Sequence, residues 1–304
     1  MEFLSTKFVT DYVENDPKPL DELGEFVNYR TYSRWLPHKG RREYWYETVK
    51  RAVEFNMSLA YKHMLELGLQ VDLKEVKKEA EKLFINIYNA KQFPSGRTLW
   101  VGNANPIVNE KFILGNFNCS FTNIEKWSDL KEVFYLLMVG VGVGVKCTKK
   151  MASKMPKIRI NTKLLHSEYK QLPPEQRLEH TEVRILDNGF AKIFVGDSKE
   201  GWCEALDEYF KILIEPKYEF VHTIKISYNS VRPKGERLKT FGGTASGHEP
   251  LQQMFEGIDK VLKNKIDPYL KPIEADEKGY GHVRPIHILD ICNLIGANVV
   301  VGGK

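Results

Sequence analysis

No apolar run in this 304-residue chain approaches the span of a bilayer, and Glu2 and Lys7 interrupt any signal-like stretch at its start. A cytoplasmic protein with no membrane partner is expected. Cysteine is scarce: Cys119, Cys147, Cys203 and Cys292 stand far apart, with no CxxC pair and no Cys/His cluster. That spacing argues against a bound metal, and in a cytosolic protein against a disulfide framework. Excess charge of one sign is also small. A net charge of +5, dispersed along the chain, suits anionic small molecules and is too weak to argue for direct binding of nucleic acid. No internal repeat is present.

What remains is the composition of a globular protein, 42% hydrophobic and 28% charged, long enough for one large domain or two smaller ones. Apolar residues recur at helical spacing from Trp45 through Val49, Val53, Met57, Ala60 and Met64 to Leu67, with Gly68 where a C-terminal cap belongs. Asp72 and Glu75 make a capping-box-like start to a second helix reaching about Asn89. Residues 1–90 therefore read as an N-terminal helical segment, with a helical hairpin over 43–90 as a lid or support.

From 91 to 304 short apolar runs (116–124, 143–147, 219–227) alternate with helices near 128–139, 199–214, 248–264 and 286–300. That texture predicts α/β units with parallel strands. Ser128 offers an N-cap for the first of these helices. Residues 151–198 break the pattern with basic and polar residues, Pro173-Pro174 and the turn signal Asn188-Gly189, and read as an insertion.

The densest signal is Phe241-Gly242-Gly243-Thr244-Ala245-Ser246-Gly247, downstream of Arg232-Pro233. Glycines let a backbone approach a ligand, the hydroxyls of Thr244 and Ser246 serve oxyanions, and an arginine suits a phosphate or base edge. The stretch from Arg232 to Gly247 reads as a nucleotide-handling loop, with a plain hairpin as the alternative. Gly140-Val141-Gly142-Val143-Gly144 also permits close approach to a ligand, but it lacks the Lys-Ser/Thr ending of a Walker loop and the context of a dinucleotide fingerprint.

Taken in order, four blocks resemble the adenosylcobalamin-dependent (class II) ribonucleotide reductases, in particular the monomeric ribonucleoside-triphosphate reductases. They are Arg30-Thr31-Tyr32-Ser33-Arg34-Trp35-Leu36-Pro37 with Glu47-Thr48-Val49-Lys50-Arg51; Pro94-Ser95-Gly96-Arg97-Thr98-Leu99-Trp100 with Asn118-Cys119; Ser230-Val231-Arg232-Pro233-Lys234-Gly235 with the run to Gly247; and Asp290-Ile291-Cys292-Asn293-Leu294-Ile295-Gly296. The resemblance implies the first half of a ten-stranded α/β barrel, about five parallel strands with their helices. It further implies that 151–198 shapes an effector site in place of a partner subunit.

Site residues follow from the same resemblance. Cys119 becomes one of the reducing pair that forms a redox-active disulfide. Ser95, Asn118, Val141 and Gly142 lie at the substrate, and Asp197 with the loop of Arg232, Pro233, Lys234 and Gly235 belongs to effector recognition. Cys147, Cys203 and Cys292 read as packing residues. Substrates would be ribonucleoside triphosphates, effectors deoxynucleotides, and the external reductant thioredoxin-like.

The family's radical cysteine sits in an Asn-Pro-Cys-x-Glu motif, and no Asn-Pro-Cys occurs here; nor does Asp-x-His-x-x-Gly, the mark of the histidine-on cobalamin module. The chain is accordingly expected to need a C-terminal half, as a separate polypeptide or after splicing, and to leave most adenosylcobalamin contacts to it. The alternative is a catalytically inactive regulatory module that binds nucleotides.

Overall fold

The computed structural model describes residues 2–17, 20–104, 113–238 and 244–299, in two compact units, 1–118 and 119–304. In the first unit, helices α1 (Thr6–Asn15) and α2 (Glu22–Val27) precede a π-helical turn at Asn28–Tyr32 and a minimal antiparallel pair, β1 (Trp35–Leu36) and β2 (Arg41–Arg42). Two long helices, α3 (Trp45–Glu66) and α4 (Leu73–Tyr88), pack together as the expected pair, and a short α5 (Gly96–Val101) follows. Gly68 takes a left-handed φ of +70° just past α3, and the Asp72 carboxylate caps α4 by accepting from Lys74 N at 2.8 Å. The apolar stripes of α3 and α4 close on Val49, Val53, Ala80, Phe84 and Tyr88, with Phe84 and Tyr88 stacked at 5.7 Å. Trp45 spans that core and donates its indole N–H to the Tyr88 carbonyl at 2.9 Å.

The second unit opens with β3 (Cys119–Asn123), α6 (Ser128–Met138) and β4 (Gly142–Lys146). A short α7 (Lys149–Lys154), β5 (Ile158–Arg159), β6 (Lys163–His166), β7 (Glu182–Leu186) and β8 (Phe190–Phe194) come next, then α8 (Lys199–Ile214) and β9 (Thr223–Ser227). The unit ends with α9 (Glu249–Leu262), β10 (Tyr280–Gly281) and α10 (Pro285–Asn298). The β3–β4 pair is parallel, and a four-stranded sheet runs in the order β6-β9-β8-β7. There β6, β9 and β8 are parallel, and β7 is antiparallel to β8 through a turn in which Gly189 adopts φ +78°. Strand β9 sits inside the sheet and buries Ile224 and Ile226, as a strand with parallel neighbours and a helix-covered face should. Helices α6, α8, α9 and α10 complete the core around Phe134, Tyr209, Phe210 and Phe255.

The structure bears on three expectations. Among the described residues the strands form only small sheets, the largest four-stranded, where about five parallel strands of one barrel half were expected. The 151–198 segment supplies strands β6, β7 and β8, which build the four-stranded sheet together with β9. Ser128 does not cap α6: it is the helix's first residue, while the Asp129 carboxylate accepts from the backbone N–H groups of Glu125 (2.8 Å) and Lys126 (2.9 Å). Two donors are better satisfied by a carboxylate folded back from the first turn than by one hydroxyl.

Candidate functional site

Cys119 opens β3 with a free, exposed thiol. Its partner across the ladder is Gly142, and Phe121 faces Gly144. Because paired residues share a face, Cys119, Phe121 and Asn123 lie on the same exposed side as Gly142, Gly144 and Lys146, while Val143 and Val145 pack inward. Phe121 is 63% exposed, and its ring lies against Gly144, where a Cβ would approach it to 3.2 Å. The two glycines leave a strip of bare backbone beside the thiol, so a ligand can reach both.

The glycine run divides into parts with different jobs. Gly140, at φ +82°, ends α6: its N–H binds Leu137 O at 2.8 Å and the Val141 N–H binds Leu136 O at 2.9 Å, the paired bonds of a Schellman motif. Val141 is 2% exposed, with its side chain packed inward. The apolar contact that accompanies this helix stop requires that burial. Gly142 remains on the open face. Asn118, the last residue of the first unit, is exposed.

Burial governs the other thiols. It pushes Cys203 and Cys292 up to about 12 and raises Cys147, so none is poised as a thiolate. Cys203 and Cys292 pack in the core as expected.

Ser95 caps the short helix α5. Its Oγ accepts from Thr98 N at 3.2 Å and lies 3.1 Å from Thr98 Oγ1. The capping bond directs Ser95 across the first turn and leaves the Ser95-Gly96 corner on the chain's surface side of the helix start.

The structure joins Asp197 and Arg232, which the sequence presented separately. Asp197 Oδ1 accepts from both the backbone N–H and Nε of Arg232 at 3.0 Å, and Arg232 Nη2 reaches the Asp197 carbonyl at 3.2 Å. Arg232 is therefore anchored at the root of its loop, and Asp197 is engaged by protein donors. Two residues not picked out from the sequence complete the network. Arg177, with only 6% of its side chain exposed, makes a bidentate pair with Glu236 (2.8 and 2.9 Å) and approaches Asp197 at 3.5 Å. The Glu236 bonds raise the Arg177 pKa above its already high ordinary value. Arg177 carries no local signal beyond its position after a proline pair, and its partner lies 59 residues away.

Beyond that anchor Pro233, Lys234 and Gly235 turn the chain: Glu236 N donates to Pro233 O at 3.2 Å, with Gly235 at φ +89° as a type II turn requires. The return strand pairs Gly235 N with Ala245 O (2.9 Å) and Ala245 N with Glu236 O (2.7 Å), so residues 233–238 and 244–247 form a hairpin. Phe241, Gly242 and Gly243 lie outside the described residues. Gly247, at φ +84°, passes so close to Lys234 that a Cβ there would lie 3.2 Å from its backbone nitrogen.

Among the described residues no three His, Cys, Asp or Glu side chains converge as a metal site, and no helix is long and apolar enough to cross a membrane.

Comparison with known proteins supplies the class. The ribonucleotide reductase alpha domain matches residues 4–104, and the insertion domain of B12-dependent ribonucleotide reductase matches residues 177–262. Adenosylcobalamin-dependent ribonucleoside-triphosphate reductases from Lactobacillus leichmannii and Lactobacillus delbrueckii subsp. bulgaricus (strain ATCC BAA-365 / Lb-18) are 31% and 32% identical, each over 98% of this chain and 42% of the relative. A crystal structure of a B12-dependent (class II) ribonucleotide reductase superimposes with a TM-score of 0.79 at 28% identity, covering 100% of this chain and 44% of that one. The fold is that of a ribonucleotide reductase chain. Within that class the chain belongs with the adenosylcobalamin-dependent, class II enzymes and corresponds to their N-terminal portion. It spans less than half the length of the curated relatives it matches.

Proposed function

We propose that this chain supplies the N-terminal part of a class II ribonucleoside-triphosphate reductase, with β3 and β4 as strands of its barrel and Cys119 as one of the two reducing cysteines. The observation that carries the reading is the exposed Cys119 thiol on the open, glycine-stripped face of a parallel strand pair. In the reaction, a dithiol and a ribonucleotide become a disulfide, a deoxyribonucleotide and water: the 2′ hydroxyl leaves with a proton, and the cysteine pair supplies two electrons. Cys119 is held for that task by a strand paired along its length with β4, whose Val143 and Val145 pack against the core, which limits its motion beneath a sugar. Gly142 and the exposed Asn118 border the nucleotide, and Ser95 meets its phosphates.

Adenosylcobalamin, when bound to the complete enzyme, supplies the radical that starts the chemistry. The described residues do not by themselves fit that group, since the open strand face offers only the side chains of Cys119, Phe121, Asn123 and Lys146 beside two glycines, too few to hold a corrinoid. Most of its contacts belong to the C-terminal half, which also carries the radical cysteine and the second reducing cysteine. Deoxynucleotide effectors act through the loop rooted on Asp197 and Arg232, and a thioredoxin-like protein restores the dithiol.

The test is reconstitution. The chain alone, given adenosylcobalamin, a dithiol and a ribonucleoside triphosphate, should form no deoxynucleotide, and adding the C-terminal half should restore turnover. Cys119→Ser should abolish turnover in the assembled protein while leaving assembly intact. Multiple turnovers by the Cys119→Ser complex at the parental rate would remove Cys119 from the reaction.

A further inference from the structure

Segments 30–37, 47–51 and 94–100, which carry much of the resemblance, meet in one ion cluster of the first unit that the reaction above leaves unused. Its centre is the Glu43 carboxylate, with 4% of the side chain exposed, beside the Arg51 guanidinium, 9% exposed. Arg51 Nε donates to Glu43 Oε1 at 2.8 Å and Nη2 to Oε2 at 3.0 Å. Its other bonds go to backbone carbonyls: Nη1 to Gly102 at 2.6 Å, and Nη2 to Leu99 at 2.8 Å and Tyr32 at 3.2 Å. Arg34 adds Nε to the Trp100 carbonyl at 2.6 Å and its backbone N–H to Glu43 Oε2 at 3.1 Å.

Two guanidinium groups therefore hold the carbonyls of Leu99, Trp100 and Gly102, the orphan acceptors at the C-terminal end of α5. A helix this short does not stand by itself, and cations are favoured at this end. The other end of α5 begins at Ser95. There Gly96 abuts the Tyr32 hydroxyl, which a Cβ would approach to 3.2 Å. Both ends of α5 are thus referenced to the near-neighbours Tyr32 and Arg34. The cluster is a costly way to hold a helix: two buried guanidinium groups stand near one carboxylate that pairs with Arg51 alone, and Arg34 Nη2 is buried without a hydrogen-bond partner. Apolar packing would anchor α5 at less cost but would not set its position to the length of a hydrogen bond.

We propose that Arg51, Arg34 and Glu43 are positioning residues for the nucleotide's phosphates: they clamp one end of α5 so that the Ser95-Gly96 corner at the other is presented to the triphosphate. The proposal rests on the reading of Ser95 as a phosphate-binding residue. In the assembled reductase, Arg51→Lys keeps a cation beside Glu43, but one ammonium cannot span the carboxylate and three carbonyls. Its KM for ribonucleoside triphosphate should rise about tenfold with kcat changed less than about twofold, and amide hydrogen exchange over residues 98–102 should quicken. Glu43→Gln, which keeps the shape of the cluster, should move both in the same direction by less and serves if Arg51→Lys does not fold. A merely structural role would lower the unfolding temperature and the amount of active enzyme without moving KM. Unchanged exchange over 98–102, or faster exchange with unchanged KM, overturns the proposal. Ser95→Ala separates the two readings: if it leaves KM unchanged while Arg51→Lys raises it, the clamp stands and the phosphate role of Ser95 falls.

Discussion

At the scale of single residues, accessibility separates the thiols. Cys119 is exposed, Cys147 half-buried, and Cys203 and Cys292 buried with their thiols held up to about 12. A maleimide at neutral pH should modify Cys119 first and Cys203 and Cys292 only when the chain opens, as peptide mass spectrometry would record. Labelling of Cys203 ahead of Cys119 would contradict the placement of β3. The Arg232–Asp197 pair makes a second residue-level prediction. Since Arg232 braces the root of its loop, Arg232→Ala should flatten the dependence of base choice on effector, and Asp197→Asn should do the same. Rates for the four substrates with each effector decide it; a preserved pattern in both variants would leave the hairpin with a structural role alone.

At the scale of elements, glycines at positive φ mark where chain direction is set. Gly189 closes the β7–β8 turn at φ +78°, and a Cβ there would lie 2.5 Å from the His222 ring and 2.9 Å from the Phe220 carbonyl. Gly189→Ala should cost about 1–3 kcal/mol, through left-handed strain and that crowding, in a denaturant unfolding midpoint. Helix α10 carries a pH-dependent term. The His287 side chain is fully buried and its Nδ1 accepts the Arg284 N–H at 3.0 Å, so the neutral ring is required. Burial, and then the nearby Arg284, pull its pKa from 6.5 to about 4. The unfolded chain takes up the proton first as pH falls, so stability is intact above 6.5 and declines between 6.5 and 4. The thermal midpoint should fall across that window, and His287→Gln should flatten the decline.

At the scale of the whole molecule, the β3–β4 pair leaves its outer face and its strand edges without partners among the described residues. Unpaired edges are templates for further strands. A C-terminal half should therefore bind the chain with micromolar or better affinity and protect the amides of Cys119–Asn123 and Gly142–Lys146 from exchange. Binding without protection there would place the joint elsewhere.

Local patterning by itself determined the helices: the stripe along α3, the cap at Asp72 and the span of α8 follow from spacing and end residues that act within a few positions. The role proposed for Cys119 rests on an ordered set of blocks, because one cysteine on a short strand has no local signature. Strand partnership was not legible, since β6 joins β9 across 60 residues and a period of two does not say which edge a strand will meet. Nor were the ion clusters. Arg177 finds Glu236 and Arg51 finds Gly102 only after the chain has folded, and a side chain's neighbours, unlike its helical phase, are set by long-range packing. Tertiary structure alone turned Val141 inward, tied Arg232 to Asp197, and fastened α5 at the end away from Ser95.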